Sequence, residues 1–180
     1  MKLRKMLGSL IRRIQSLGFY RKLTRRSSRC FVFREATQTD MIWVESYSSP
    51  NSDSPMQLPS PGVTNFVASR KRKIVGFVQL LREEESDSLF PGYWLFSLRV
   101  WPLYRGMGIG EALSRKVMEQ ARMESARELS LLVYEDNPAA LSLYAKLGFA
   151  RVIVPELEKM LEEERSASGR RRVVLRRQLD

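Results

Sequence analysis

Leu98-Arg99-Val100-Trp101-Pro102-Leu103-Tyr104-Arg105-Gly106-Met107-Gly108-Ile109-Gly110 is the stretch whose reading decides the fold. The apolar run 93–101 reads as a strand, and residues 111–123 read as an amphipathic helix. Between them lies a tight glycine turn at a helix N-terminus. Free N–H groups of the first helical turn point outward there, and the helix dipole favours negative charge. Glycines allow φ > 0 and a close approach of backbone to ligand. The unit therefore predicts a phosphate-bearing ligand held by backbone amides. A P-loop needs Gly-Lys-Ser/Thr at its end, but Gly110 is followed by Glu111 and Ala112. A dinucleotide fingerprint needs G-x-G-x-x-G, but Gly106, Gly108 and Gly110 give G-x-G-x-G, and the upstream chain lacks the βαβ order.

Working outward, the 180 residues suit one α/β domain with a sizeable core. The single cysteine, Cys30, excludes an intrachain disulfide and suits a reducing compartment. It opens the apolar run 30–33, which predicts a buried thiol rather than a nucleophile. There is no histidine. That removes Ser-His-Asp and Cys-His systems, imidazole bases and His-ligated metals, so no metal is expected. No apolar run reaches the roughly 18 residues that span a bilayer, and the start lacks the apolar core of a secretory signal. The expected location is cytoplasmic, with peripheral membrane contact through the N-terminal segment.

That segment carries most of the charge. Residues 1–29 hold ten of the 31 Lys and Arg and no acid, so the net +11 divides into +10 there and +1 over 30–180. Leu3, Met6, Leu7, Leu10, Ile11, Ile14 and Leu17 recur at three- and four-residue steps, predicting a basic amphipathic helix ended by Gly18. Three readings compete: contact with an anionic membrane surface, an organelle-targeting leader, or docking on the domain. Aromatics are too sparse for a single-strand stacking platform, so no specific nucleic acid is expected. The remaining chain, 30–180, reads as the domain. Strands are expected over 30–34, 65–69, 74–81, 93–101, 129–134 and 149–154. A last, highly charged strand over 170–179 is expected near an edge. A short helix is expected over 40–47. Residues 48–62 hold four Pro and five Ser and read as a flexible loop. Residues 82–88 read as a charged loop. Residues 156–169 form an acidic insertion, helical over 156–164, where five Glu stand with one Lys. In the helix after the glycine turn, Ala112, Leu113, Val117, Met118 and Ala121 form the apolar stripe.

A second stretch, Asn137-Pro138-Ala139-Ala140-Leu141-Ser142-Leu143-Tyr144-Ala145-Lys146-Leu147-Gly148-Phe149, puts Asn137 and Tyr144 on one face of a helix. Pro138 suits the first helical position, and Gly148 suits the stop. Together the two stretches, R-x-x-G-x-G after Val-x-Pro and N-x-x-A-x-x-L-Y-x-x-x-G-F, resemble the GNAT superfamily of N-acetyltransferases over residues 64–154. The resemblance implies one α/β domain with a mixed, mostly antiparallel sheet flanked by helices, in the order β-α-βββ-α-β-α-ββ.

It also implies acetyl-CoA as cosubstrate and a primary amine as acceptor. Backbone of Leu98, Arg99 and Val100 would pair with the pantetheine arm, as an added strand does. Amides of Arg105, Gly106, Met107, Gly108, Ile109 and Gly110 would hold the pyrophosphate, with the Arg105 side chain adding charge. Asn137 would cap its helix and touch the cofactor arm. Tyr144 would protonate the departing thiolate, or else simply pack in the core. Pro102 and Tyr104 would shape the turn, and Glu111 would favour the helix N-terminus. Relatives that acetylate ribosomal-protein N-termini carry Glu five residues before the motif's Asn. Leu132 stands there in this chain, so Glu135, Asp136 or a water chain are alternative bases. The acidic stretch could attract a cationic amine or pair with the basic leader. An exposed edge strand and the flexible loop 48–62 leave room for a homodimer. Two other readings stand beside the enzyme: a non-catalytic acyl-CoA-binding module, and a protein whose basic leader does the main work on a membrane.

Overall fold

The computed structural model describes residues 30–47, 62–83 and 90–179. The leader 1–29, the Ser/Pro-rich stretch 48–61 and most of the charged loop, 84–89, lie outside the described residues. The elements are β1 (Val32–Glu35), α1 (Gln38–Tyr47), β2 (Val63–Arg70), β3 (Lys73–Glu83) and β4 (Gly92–Val100). A 3-10 turn over Pro102–Tyr104 leads to α2 (Ile109–Met123), β5 (Glu128–Tyr134), α3 (Pro138–Lys146), β6 (Ala150–Val152), α4 (Pro155–Ser168) and β7 (Arg172–Gln178). This is the expected order, with the acidic insertion as a full helix.

The strands form one sheet in the order β1-β2-β3-β4-β5-β7-β6, antiparallel throughout except where β4 meets β5. Strand alternation divides the core by face. On one side Val78, Leu80, Leu95, Leu129, Leu131, Val133, Val173 and Leu175 pack with Leu113, Val117 and Met118 of α2 and Tyr144 of α3. On the other, Leu81, Trp94, Leu132 and Val174 pack with Leu157 and Leu161 of α4. Val67 and Phe77 on that same side cover Met41 and Val44 of α1. The layers are α2/α3, sheet, α1/α4.

Three local expectations change. Cys30 is exposed, because the strand begins two residues later at Val32 and leaves the thiol outside the core. In α2 the stripe gains Ile109 and Ser114, both fully buried, while Ala112 is half-buried. β7 lies second from the edge, between β5 and β6, and its charges are satisfied laterally. Arg176 donates to Ser130 Oγ (3.0 Å) and pairs with Glu128 (3.0 Å), and Arg177 donates to the Leu147 carbonyl.

Candidate active site

β4 and β5 pair only at Trp94–Ser130 and Leu95–Leu131, then part. Among the described residues, no strand pairs with the β5-side edge of β4 past Leu95. A bulge sharpens the split. Gln79 faces Phe96 and Phe77 faces Arg99, so Ser97 and Leu98 together oppose Val78. Ser97 takes φ +52, and its buried hydroxyl has no hydrogen-bond partner. Bulges bend a strand and re-aim its groups, which here opens a passage through the sheet. The resulting cavity, about 450 Å³, is lined by Ser97, Leu98, Arg99 and Arg105 on one wall. Leu132, Tyr134, Asn137, Tyr144, Arg170 and Arg172 line the other. It continues past Val100, Trp101, Pro102 and Ala139.

The glycine turn stands at one mouth. Gly106 and Gly108 both have φ +80, and a Cβ on either would meet nothing within 4 Å, so glycine is required by conformation rather than by space. Gly108 is the left-handed N-cap of α2, and no side chain caps that end. The first amides of α2 are thus left to an external acceptor. Gly110 brings α2 close to Leu143, 3.4 Å from where a Cβ would stand. Arg105 Nε donates to the Val100 carbonyl (3.0 Å), which holds the side chain against the end of β4. Pro102 and Tyr104 do shape the turn: they lie in the 3-10 segment, and the Tyr104 ring meets Phe31 edge-on at 6.2 Å. Glu111 is pinned by Lys146 (2.5 Å) and Arg115 (3.1 Å), and the Lys146 bond chiefly holds its carboxyl below the usual range.

Asn137 caps α3, its Oδ1 accepting from the Ala140 amide at 3.2 Å. Seven residues on, Tyr144 meets the same cavity. It is 6% exposed, its ring set edge-on to Phe149 at 5.7 Å, and burial raises its phenol well above the ordinary value. It is both a core aromatic and a cleft residue. Of the alternative bases, Glu135 pairs with Arg151 (2.7 Å) and Arg171 (3.7 Å). Asp136 takes two bonds from Arg170 (3.0 Å each), which hold its carboxyl below the usual range. Neither lines the cavity.

Sequence reasoning missed the Ser97 bulge and the lining by Tyr134, Arg170 and Arg172. Tyr134 donates to Glu164 Oε1 (3.1 Å), and Glu164 Oε2 accepts from Arg172 Nε (2.7 Å). The Arg170 guanidinium stacks 3.7 Å from the Tyr134 ring centroid. The charge run 170–172 was the only signal, and it showed basicity without direction.

A sheet split between two parallel strands, with a glycine turn at the split whose helix end no side chain caps, defines the class: an α/β fold whose sheet parts between β4 and β5. The chain belongs to the acetyltransferase (GNAT) family, whose model matches residues 22–149. It is 35% identical over 121 residues to the N-acetylaspartate synthetase of Xenopus tropicalis, covering 67% of this chain and 40% of that protein. The chain spans about half the length of the curated relatives it matches. The ribosomal-protein-S18-alanine N-acetyltransferase from Escherichia coli shares the fold at a TM-score of 0.63 and 18% identity, over 83% of this chain and 94% of that one. A Bacillus anthracis acetyltransferase solved in complex with acetyl coenzyme A does so at 0.61 and 16%, over 83% and 98%.

Proposed function

We propose that the chain is an N-acetyltransferase that moves the acetyl group of acetyl-CoA directly to a primary amine. The observation that carries this reading is the passage through the sheet, with open α2 amides at one mouth and Tyr144 along its wall. The residues fit the cosubstrate. The backbone of Leu98, Arg99 and Val100, beyond the last β4–β5 pair, is the segment that would meet the pantetheine arm, as an added strand would. The turn from Arg105 through Gly106, Met107, Gly108, Ile109 and Gly110 offers amides to the pyrophosphate, and Asn137 stands beside the arm. Family membership and the acetyl-CoA complex of a structural neighbour support the same cosubstrate.

Bound acetyl-CoA supplies the thioester, whose C–S bond breaks as the amine nitrogen bonds to the carbonyl carbon. Tyr144 donates its phenolic proton toward the sulfur, and the proton lost by the amine passes to water. Burial keeps Tyr144 in its protonated form across the neutral range, and the proton it gives up is regained from solvent after turnover. No covalent acyl-protein step is involved, since the amine is itself the nucleophile.

Calorimetric titration with acetyl-CoA, desulfo-CoA and ATP tests the cosubstrate. Binding of both CoA compounds and not ATP is expected, and binding of neither overturns the reading. Tyr144→Phe tests the acid. Thiol release should fall about 100-fold while acetyl-CoA affinity holds. An unchanged rate removes Tyr144 from that role, and a wild-type chain that binds acetyl-CoA but acetylates no amine is a binding module instead.

A further inference from the structure

The end of the sheet where β2 turns into β3 carries a surface that the cleft does not use. Arg70-Lys71-Arg72-Lys73 closes that hairpin, with Arg70 and Lys73 paired across it. The two central residues, Lys71 and Arg72, have φ +46 and +65. Positive φ at both positions is the type I′ combination, which asparagine and glycine fill most easily. Long cationic side chains there bear a conformational cost at two consecutive positions. Their charges are also unpaired. Among the described residues, no ion pair involves Lys71, Arg72 or Lys73, whereas Arg34, Lys116, Lys146 and Arg151 each have a carboxylate partner. Arg70 lies over the Phe31 ring, 5.7 Å from its centroid.

Apolar side chains stand beside these cations. Trp43 of α1 and Leu103 of the 3-10 segment are 58% and 63% exposed, although both are large and apolar. With Arg72, Lys73, Ile74 and Trp101 they line a cavity of about 470 Å³. Asp40 is the one carboxylate among the described residues of that lining, and Arg34 and Thr37 already hold it. Val32, also exposed, pairs with Ser69, the residue before the turn. The chain enters the domain at this end too. β1 opens at Val32, so the acid-free leader 1–29, with its ten cations, is joined to the same corner.

We propose that this corner of the domain docks on an anionic bilayer. Trp43 and Leu103 enter the headgroup boundary, and Lys71, Arg72 and Lys73 meet lipid phosphates and carboxylates. An indole and a leucine both gain by leaving water, and an indole suits the headgroup level. Each Lys or Arg close to an anionic leaflet adds attraction. A nucleic acid would draw the cations equally but offers exposed Leu103 and Val32 no hydrocarbon. Docking also accounts for the strained turn, because asparagine and glycine would relieve the backbone and remove the charge. The surface is independent of the acetyl-transfer reading, and it extends membrane contact from the leader to the folded domain.

The test uses the full-length chain with vesicles of phosphatidylcholine and phosphatidylserine whose acyl chains carry bromine, which quenches indole fluorescence on contact. Trp94 is buried and Trp101 half-buried, so Trp43 is the indole most open to the quencher. The vesicles should quench the emission, and Trp43→Phe should lose most of that quenching. Trp43→Ala and Leu103→Ser should each weaken vesicle binding about tenfold. Lys71→Asn combined with Arg72→Gly installs the residues that the turn favours. Its thermal transition should rise while vesicle binding falls about 25-fold. A variant that gains stability and loses binding does not owe the loss to misfolding. Pelleting without quenching would leave the leader as the membrane contact and overturn docking through this corner. Unchanged binding in the turn variant, or no pelleting at all, overturns it as well. So does a DNA duplex that binds as tightly as the vesicles when the vesicles leave Trp43 unquenched. Acetyl-CoA affinity of Trp43→Phe and of the turn variant should match wild type, so failure of docking and failure of cosubstrate binding are read on separate measurements.

Discussion

Asp40 shows how one side chain secures the entrance to the domain. It stands three residues after Thr37, and the two cap α1 reciprocally. The Thr37 amide donates to the Asp40 carboxylate at 2.8 Å, and the Asp40 amide donates to the Thr37 hydroxyl at 3.3 Å. Arg34, at the end of β1, adds two charge-assisted bonds at 2.5 and 3.0 Å. The Arg34 bonds, more than the cap, hold the Asp40 carboxyl down at about 2 against an ordinary 3.8. A depressed folded value contributes stability above the unfolded value, and that contribution is lost as pH falls through the folded one. Asp40→Asn is therefore expected to lower stability at pH 7 by about 2 kcal/mol. The difference from wild type should shrink between about pH 4 and pH 2. Urea denaturation at pH 7 and pH 2.5 checks both points; a deficit that persists unchanged at pH 2.5 would mean the charge is not its source.

At the scale of elements, the turn into α2 joins conformation to ligand binding. Gly108 holds a left-handed φ of +80 with open space around it, so alanine there meets no clash and bears only the conformational cost. Gly108→Ala should lower stability by about 1 kcal/mol. It should weaken acetyl-CoA binding as well, because relief of the strain re-aims the first amides of α2. An unfolding curve and a titration on one preparation separate the two effects, and unchanged affinity would show that those amides are not the anion site. This turn was legible in the sequence because its signals are local: glycines at fixed steps between a strand and a helix. The α3 motif was legible for the same reason, with Asn137 as cap and Tyr144 two turns on. The bulge at Ser97 was not, since it arises from the register of β3 against β4, and nothing in Phe96-Ser97-Leu98 marks it. Nor was the aim of Arg170 and Arg172. Their anchors, Asp136 and Glu164, lie 34 and 8 residues away in sequence. Cys30 was misread because an apolar run was taken as strand from its first residue.

Two asymmetries mark the whole molecule, one of charge and one of access. The leader carries +10 of the net +11, and its apolar spacing supports contact with an anionic surface. The full-length chain should pellet with phosphatidylserine vesicles, and less so as salt rises from 0.05 to about 0.5 M, because screening shortens the reach of each cation. Failure to pellet at low salt would remove the membrane reading and leave docking or targeting. The second asymmetry is the passage through the sheet. Its α2 mouth has the glycine N-cap and its α4 mouth the arginines, so on the proposed reading acetyl donor and amine enter from opposite sides. A covalent relay would need a nucleophile along that passage, and the described residues lining it include no Cys or Lys. Cys30 lies before β1, at the far edge of the sheet, three strands from β4. Among the described residues, Ser97 is the one aliphatic hydroxyl on the cleft wall, and with no histidine in the chain it lacks an imidazole to activate it. Initial rates measured against acetyl-CoA at several fixed amine concentrations should therefore give intersecting double-reciprocal lines, the signature of a ternary complex. Parallel lines, together with an acetylated protein trapped in the absence of amine, would instead require a relay and make Ser97 the first residue to replace.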